Sequence, residues 1–269
     1  TTSRIDPADV VYNTVSQHAW TFPRPAMGEI VLGPGGVRLT EDLTVAEGQH
    51  LAVRAGTTLR LGPGVSIVSR GRATFSGTAE APIRISRLDP DAPWGSLVLI
   101  GKGAGGSVLR HLRAAGGSVG RADHARLSGM ISVLGADAVK ISDVEIASNT
   151  LSDDLLHVVY GDVTISDSVF SDCYADCIDI DYSAATLSGL TITRAGNDGI
   201  DFMTSISVLR DVRVEGAGDK GLSVGEASAV EIDGLSVSGA VQGIAVKDAS
   251  TVKLTNGRLS GNQTAVAVF

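Results

Sequence analysis

A short pattern repeats every 22 residues through the second half of the chain. DLLHVVY begins at residue 154, and DCIDIDY, DGIDFMT and KGLSVGE begin at 176, 198 and 220. A fixed period of this length is typical of solenoids, whose units stack because none of them can bury its apolar face alone. The repeat therefore restricts the chain to a stacked architecture.

Each copy of the repeat has the pattern of a β-strand. Its third and fifth residues are apolar, as in Ile178 and Ile180, whereas the residue between them is polar in every copy. Apolar and polar residues that alternate in this way indicate a half-buried strand. Two further alternating stretches follow in each unit. We therefore expect each unit to form one coil of the solenoid, with three short strands joined by tight turns.

Strands this short leave no helix to return the chain between parallel neighbours, so the coil itself must be the crossover. This predicts an all-β fold, a right-handed parallel β-helix, with coils stacked about 4.8 Å apart. We expect residues 39–269 to form a single β-helix domain. Residues 1–38 are expected to form an N-terminal cap with a short amphipathic helix over 6–19.

Composition limits the partners and the compartment. The net charge of −8 at neutral pH disfavours binding to nucleic acid, and no apolar run is long enough to span a membrane. Because the chain begins at Thr1 and not with methionine, we interpret it as a processed chain or an excised domain, whose exporting segment could have been removed. Cys173 and Cys177 could form a local disulfide or remain two free thiols.

The 22-residue register creates two polar ladders. The turn ladder, at the turn before each strand, contains Asp154, Asp176, Asp198 and Lys220. The outward ladder, on the solvent face of each strand, contains His157, Asp179, Asp201 and Ser223, with Asp181 beside it. Carboxylates one coil apart repel one another unless a proton or a cation lies between them.

Three interpretations of these acids are open. The turn aspartates could accept hydrogen bonds from backbone N–H groups and serve structure alone. Asp179, Asp181 and Asp201 could supply an acid pair that acts on a glycosidic bond of a polysaccharide. Asp176, Asp179 and Asp181 could instead hold calcium, the one cofactor that the sequence suggests.

Other polar and aromatic residues flank the acids. His157 is a candidate general base held by the carboxylate of the next coil, or else a surface histidine with a single hydrogen bond. Tyr160 and Tyr182 would stack and bind a sugar ring. Glu226 and Lys247 lie further along the same side and are candidate substrate contacts.

DCIDID at 176–181 and GNDGID at 196–201 resemble the catalytic coils of polysaccharide enzymes of the pectin-lyase-like superfamily. Polygalacturonases of this superfamily have an NTDGID coil and then DD, GHG and RIK motifs. GNDGID is also similar to the DPHD coil of mannuronan C5-epimerases. The resemblance, over about 39–269, implies a glycoside hydrolase or a polysaccharide lyase in which Asp198 and Asp201 match the acids of NTDGID.

The match departs from the polygalacturonase pattern after this coil. Lys220 replaces the histidine of GHG, no second DD follows, and Lys247 is present without the arginine of RIK. Lys220 could then be the base of a lyase, with a cation neutralising the substrate carboxylate.

A second class of function is also open. The chain also resembles the β-helix modules of secreted bacterial surface proteins, including CotH-associated ones, which implies an extracellular or periplasmic location and no defined activity. It ends in the apolar strand TAVAVF at 264–269. An exposed apolar edge is a template for pairing. The alternative is a non-catalytic adhesin, spacer or self-assembling element that associates end to end or continues into a further domain after Phe269.

The segment at 101–127 interrupts the regular alternation. It is rich in glycine and contains Arg110, Arg113, Arg121 and Arg126. We expect it to bulge from the coil as a loop. Its role could be that of a solvated excursion, or of a positively charged wall beside the acidic ladders.

Overall fold

A computed structural model describes residues 28–122 and 125–269 of the chain. Within these ranges the helical structure is a 3-10 turn at Lys102–Ala104, and no helix has the length and apolar character needed to cross a membrane. The strands in chain order are β1 (Gly28–Leu32), β2 (Gly35–Leu39), β3 (Leu43–Val45), β4 (Gln49–Arg54), β5 (Thr57–Leu61), β6 (Ile67–Ser69), β7 (Arg72–Ser76), β8 (Ile83–Arg87), β9 (Leu97–Ile100), β10 (Val108–Arg110), β11 (Leu112–Ala115), β12 (Arg121–Ala122), β13 (Ala125–Arg126), β14 (Gly129–Leu134), β15 (Val139–Ser142), β16 (Glu145–Ala147), β17 (Asp154–Val159), β18 (Asp162–Ser166), β19 (Val169–Cys173), β20 (Asp176–Asp181), β21 (Ala184–Ser188), β22 (Thr191–Ala195), β23 (Ile200–Met203), β24 (Ile206–Ala217), β25 (Lys220–Gly225), β26 (Ala229–Ser238), β27 (Gln242–Val246), β28 (Thr251–Ser260) and β29 (Thr264–Val268).

The strands form the three faces of a solenoid. One face is a ten-stranded parallel sheet, which we call the site sheet and which contains β3, β6, β9, β14, β17, β20, β23, β25, β27 and β29. The other two faces belong to a seventeen-stranded parallel sheet. That sheet is continuous because β24, β26 and β28 are long enough to pass from the second face to the third.

The 22-residue period is the spacing between stacked neighbours. Leu156 pairs with Ile178, Ile178 with Ile200, and Ile200 with Leu222 along the site sheet. Since these inward apolar residues alternate with outward polar ones, each strand buries one side. The predicted all-β parallel β-helix is confirmed, with three strands in a regular coil such as that of β17, β18 and β19.

The core lies between the three faces along the length of the solenoid. Leu, Ile and Val dominate it, and its largest side chains, Trp94, Phe75, Phe170 and Phe202, are fully buried. The indole Nε1 of Trp94 donates a 2.8 Å hydrogen bond to the carbonyl of Ala115, so its polar atom is satisfied. Burial of one large apolar side chain contributes roughly 1.5–3 kcal/mol.

The β-helix begins before the predicted boundary at residue 39. β1 and β2 already pair in register with β4 and β5, so the coil is formed from Gly28 onward. The short runs GEIVL and GGVRL contain three glycines, which weaken the alternating pattern that marks a strand. The predicted helix at 6–19 and most of the predicted cap lie outside the described residues.

The glycine-rich segment at 101–127 is only partly a bulge. β10 and β11 occupy regular coil positions, and Arg113 in β11 forms a 3.0 Å ion pair with Glu145. The chain leaves the coil after Ala115, where β12 and β13 pair as an antiparallel hairpin before β14 returns to the site sheet. The described basic residues are therefore divided between surfaces, and a single positive wall does not form among them.

A disulfide joins Cys173 and Cys177. Of the two possibilities that the sequence left open, a disulfide or two free thiols, the structure has the disulfide. The bond spans the corner between β19 and β20 and closes the turn that presents Asp176. It therefore braces one step of the turn ladder.

Removing this disulfide should lower stability modestly. We expect a Cys173→Ala, Cys177→Ala variant to lose about 2 kcal/mol, because the bond restricts the unfolded chain only over a short loop. A reductant should lower the Tm of the wild type by a few degrees in calorimetry and leave the Tm of the variant unchanged. An equal response of both proteins would contradict the bond.

The last coil exposes apolar side chains. Val266, Val268 and Phe269 are 49%, 75% and 72% exposed. β29 pairs with β27 and stands at the edge of the site sheet. The edge expected from TAVAVF is present, and end-to-end association through it stays a prediction.

Candidate functional site

Polar side chains gather on the outer face of the site sheet across β17, β20, β23 and β25. His157 pairs in register with Asp179, Asp179 with Asp201, and Asp201 with Ser223. Asp181 follows Asp179 at the next outward position of β20. The register of the outward ladder predicted from the repeat is therefore confirmed, but Ser223 is fully buried and does not reach solvent as expected.

His157 is held at both nitrogens of its ring. Nε2 lies 3.1 Å from Asp181 Oδ2 and 3.4 Å from Asp179 Oδ2. Nδ1 lies 2.5 Å from the hydroxyl oxygen of Ser128 and 3.5 Å from Asp154 Oδ2. A surface histidine with a single hydrogen bond is thus the wrong interpretation. A ring fixed in this way is suited to proton transfer because its orientation is set before substrate arrives.

Asp179 keeps its proton at neutral pH. Burial and the surrounding carboxylates raise its pKa to about 10, and the neighbours that contribute are, in order, Asp154, Asp181, Asp201 and Asp176. A carboxyl that stays protonated in a group of acids can donate a proton to a bound molecule. The outward ladder therefore contains a proton donor next to a histidine.

The turn aspartates hold the backbone of the following coil. Asp176 Oδ1 accepts hydrogen bonds from the N–H of Asp198 at 2.7 Å and from Nδ2 of Asn197 at 2.8 Å. Asp198 Oδ1 accepts one from the N–H of Lys220 at 2.9 Å. The predicted hydrogen bonds from backbone N–H groups are therefore present at Asp176 and Asp198. Burial raises the pKa of both carboxyls, to about 6 for Asp198.

Lys220 lies over two carboxylates. Its ammonium donates a hydrogen bond to Asp219 and lies 3.4 Å from Asp198 Oδ2. Burial lowers the pKa of Lys220, but Asp219 and Asp198 outweigh burial and leave the pKa above its ordinary value. An ammonium that stays charged does not suit a general base, the role that the resemblance left open. It suits a fixed positive charge beside the acids.

The acids form two clusters that could each offer three ligand atoms to a metal ion. One contains Asp154, His157 and Asp179, and the other contains Asp176, Asp198 and Asp201, with the ligand atoms of each within 4.8 Å of one another. The set predicted for calcium, Asp176, Asp179 and Asp181, is divided by this arrangement because Asp176 belongs to the turn ladder. In the second cluster Asp201 Oδ1 is buried without a hydrogen-bond partner, which fits an oxygen ligand for calcium.

Tyr160 and Tyr182 stack beside the outward ladder. Their ring centroids are 5.0 Å apart with an angle of 21° between the planes, and the side chains are exposed. Both residues follow a site-sheet strand with a positive φ, 52° and 49°, so the repeated turn aligns the two rings. The predicted stack is confirmed, and it offers a flat apolar surface to a sugar ring.

Glu226 and Lys247 lie further along the same edge. Glu226 occupies the turn position of the tyrosines, and burial raises its pKa although Lys247 opposes the effect. The stem of Lys247 covers Gly225 so closely that a Cβ added there would lie 2.6 Å from Lys247 Cε. These residues extend the polar surface away from His157.

Ser128 is a site residue that sequence reasoning missed. Burial raises the pKa of Asp154 to about 6, while His157 and a hydrogen bond from the Ser128 hydroxyl act in the opposite direction. Ser128 thus connects His157 to Asp154. The repeat did not reveal it because the spacing changes here: Gly129 in β14, rather than a residue 22 positions earlier, pairs with Asp154.

Three solved structures are similar to this chain in fold. An alginate lyase from Paenibacillus sp. str. FPU-7 is 15% identical with a TM-score of 0.33, and the match covers 80% of this chain and 93% of that one. The periplasmic alginate epimerase AlgG is 11% identical with a TM-score of 0.42, covering 85% and 67%. Pectate lyase Pel9A is 15% identical with a TM-score of 0.37, covering 81% and 70%. Likenesses this distant do not bear on function.

A comparison of sequences identifies the family. No curated protein matches the chain. A family model described as "Right handed beta helix region" matches residues 129–269, which is more than half of the chain and includes both polar ladders. The right hand predicted for the coil agrees with this match. The chain belongs to the right-handed β-helix family.

Proposed function

We propose that the protein binds a polysaccharide across the outer face of β17, β20 and β23 and cleaves it by general acid–base catalysis. One observation supports this most: Asp179, whose pKa of about 10 keeps it protonated, lies 3.4 Å from His157. Breaking a glycosidic bond requires an acid for the leaving oxygen and a base that removes another proton. Asp179 and His157 can supply these two functions.

In the proposed reaction Asp179 gives its proton to the glycosidic oxygen as the carbon–oxygen bond breaks. His157 Nε2 takes a proton from the attacking water in hydrolysis, or from the carbon beside a uronate carboxylate in elimination, where a double bond forms. The new Nε2–H then donates to Asp181, 3.1 Å away, which stabilises the imidazolium. Ser128 holds the ring at Nδ1 throughout, and solvent afterwards returns both proton-transfer groups to their starting states.

The remaining acids have supporting roles. Asp201 and Asp181 are among the charges that keep Asp179 protonated. Asp198 orders the turn at Lys220, whose ammonium would attract a negatively charged sugar. Asp198 and Asp201, which the resemblance matched to catalytic acids, therefore have other roles in this proposal. Asp198 is a positioning residue, and Asp201 helps to keep Asp179 protonated.

The stacked tyrosines should contribute to substrate binding. Tyr160→Ala and Tyr182→Ala should each raise KM about tenfold and change kcat little, because stacking holds the substrate equally in the ground and transition states. Tyr174→Ala is the control, since Tyr174 is as exposed but lies at the corner before β20. A similar rise in KM in the control would argue against a specific platform.

The proposal is tested with a panel of acidic and neutral polysaccharides, incubated with and without calcium. Reducing ends measure any cleavage, and the absorbance of unsaturated uronate ends measures elimination alone. New ends that appear with the wild type but not with an Asp179→Asn, Asp201→Asn variant would support an enzyme. Absence of cleavage across the panel would leave the alternative of a non-catalytic adhesin or spacer.

We also propose that the protein works outside the cytoplasm, in the extracellular space or the periplasm. The disulfide between Cys173 and Cys177 supports this, because structural disulfides persist in oxidising compartments. Labelling of free thiols in protein taken directly from its source would test it. Two reactive thiols would contradict the proposed location.

A further inference from the structure

The outer face of the site sheet changes from apolar to polar along the solenoid. In the coils before β17, Val68 pairs with Val98 and Ile100 with Leu134 at outward positions. Val68 and Val98 are nevertheless buried, and with Leu127 they form an apolar cluster separate from the main core. This part of the outer face is therefore covered by another segment.

The cover consists of residues 117–121 and 126–128, which we call the end wall. Leu127 packs on the outward valines, and its N–H donates a 3.0 Å hydrogen bond to the carbonyl of Gly120. Gly120 approaches the sheet so closely that a Cβ added there would lie 2.4 Å from Ser96 Cβ. The end wall thus lies directly on the sheet, with no space beneath it for a ligand.

The end wall also contacts the proposed catalytic group. Its last residue, Ser128, lies 2.5 Å from His157 Nδ1, and its carbonyl accepts a 3.2 Å hydrogen bond from the N–H of Asp154. In the coil before His157, the outward residue Ser132 is fully buried. His157 is therefore the first outward residue of this ladder after the wall that reaches solvent.

Within the described residues, no segment outside the regular coils lies over the face beyond His157, although the small outward residues Ser223 and Ala245 are fully buried. From β17 to β29 the site-sheet strands follow one another at the regular 22-residue spacing, as the pairs of Asp154 with Asp176 and of Gln242 with Thr264 illustrate. Coils of this length contain their three strands and tight turns, so none of them has an inserted segment that could fold over the sheet. Among the described residues, the site sheet therefore has an inserted cover on one side of His157 only.

We infer that the end wall makes the groove one-sided, so that the protein attacks its polysaccharide at a chain end rather than at internal bonds. This inference rests on the proposed function. His157 and Asp179 are one coil apart, about 4.8 Å, so the bond to be broken lies within a short distance of the wall. A long chain would then extend over the regular coils, on the side of β23 to β29.

Product analysis with the wild-type protein tests the inference. We expect reducing ends to accumulate while the viscosity of the polymer stays nearly constant, with products of a single short length. A rapid fall in viscosity with products of mixed length would overturn the inference and leave the proposed function standing. We also expect a variant in which a short Gly-Ser link replaces residues 119–126 to attack internal bonds. For each bond broken, this variant should lower the viscosity of the polysaccharide solution severalfold more than the wild type does.

Shortening the end wall could disturb folding, so binding supplies a second measurement. The Asp179→Asn variant is titrated calorimetrically with substrate chains of increasing length. We expect one bound protein for each chain whatever its length, because only one end fits the groove. A stoichiometry that rises with chain length would overturn the inference. If the wild type neither cleaves nor binds any polysaccharide, the proposed function fails and the inference fails with it.

Discussion

Asp179→Asn should abolish most polysaccharide cleavage and at the same time stabilise the folded protein at neutral pH. Without a proton donor for the leaving oxygen, kcat should fall by about 10²–10⁴-fold, the usual contribution of a general acid. Substrate binding should change little because asparagine has almost the same shape. Initial rates of reducing-end formation at saturating substrate measure the effect.

The gain in stability follows from the pKa of Asp179. Its pKa rises from an ordinary value of 3.8 to about 10 in the folded protein. Between these values the folded state holds a proton that the unfolded state releases, so the free energy of unfolding decreases as pH rises through this window. Asparagine takes no part in this linkage. We expect the Tm of the variant to exceed that of the wild type by about 5 °C at neutral pH and to equal it near pH 4.

Asp162→Asn is the matched control, because Asp162 is an exposed aspartate in β18, away from the site sheet. It should change neither the rate of cleavage nor the Tm. Full activity of the Asp179→Asn variant would contradict the role of Asp179 as the acid. A variant less stable than the wild type at neutral pH would contradict its raised pKa.

Phe202→Ala should produce the largest loss of stability. Phe202 is fully buried between Ile180 and Val224 of the adjacent coils, so truncation removes contacts to both and leaves a cavity. We expect a loss of about 3–5 kcal/mol in the free energy of unfolding and a fall in Tm of roughly 10 °C. Denaturant titration and calorimetry measure the two quantities.

Ile206→Ala is the control for the core substitution. Ile206 is 72% exposed, so its truncation should change the free energy of unfolding by less than about 0.5 kcal/mol. Equal losses at the two positions would mean that Phe202 does not pack as the stacked coils require.

Residues that obey the 22-residue period could be placed from sequence, and residues outside it could not. Asp179 and Asp201 recur at the same repeat position, so stacking alone determines that they are neighbours. Ser128 lies before the first regular coil, and its contact with His157 depends on how the end wall returns to the sheet. The start of the β-helix at Gly28 was missed because glycines obscure the first strands.

The predicted calcium ligands show a second limit of prediction from sequence. Asp176, Asp179 and Asp181 are close in sequence, but the strand turns alternate residues to different sides. The structure groups Asp176 with Asp198 and Asp201, which belong to the next coil. Neighbours across coils thus matter more for this site than neighbours along the chain.

By itself the sequence determined the β-helix, the two polar ladders and the stack of Tyr160 on Tyr182, because a strict period and the alternation of a strand leave one way to stack the coils. Only the tertiary structure decided which acid keeps its proton, since the pKa of Asp179 depends on burial and on charges from three coils. It also decided which segment covers the sheet beside His157, because Leu127 and Ser128 reach the sheet through a segment that follows no repeat.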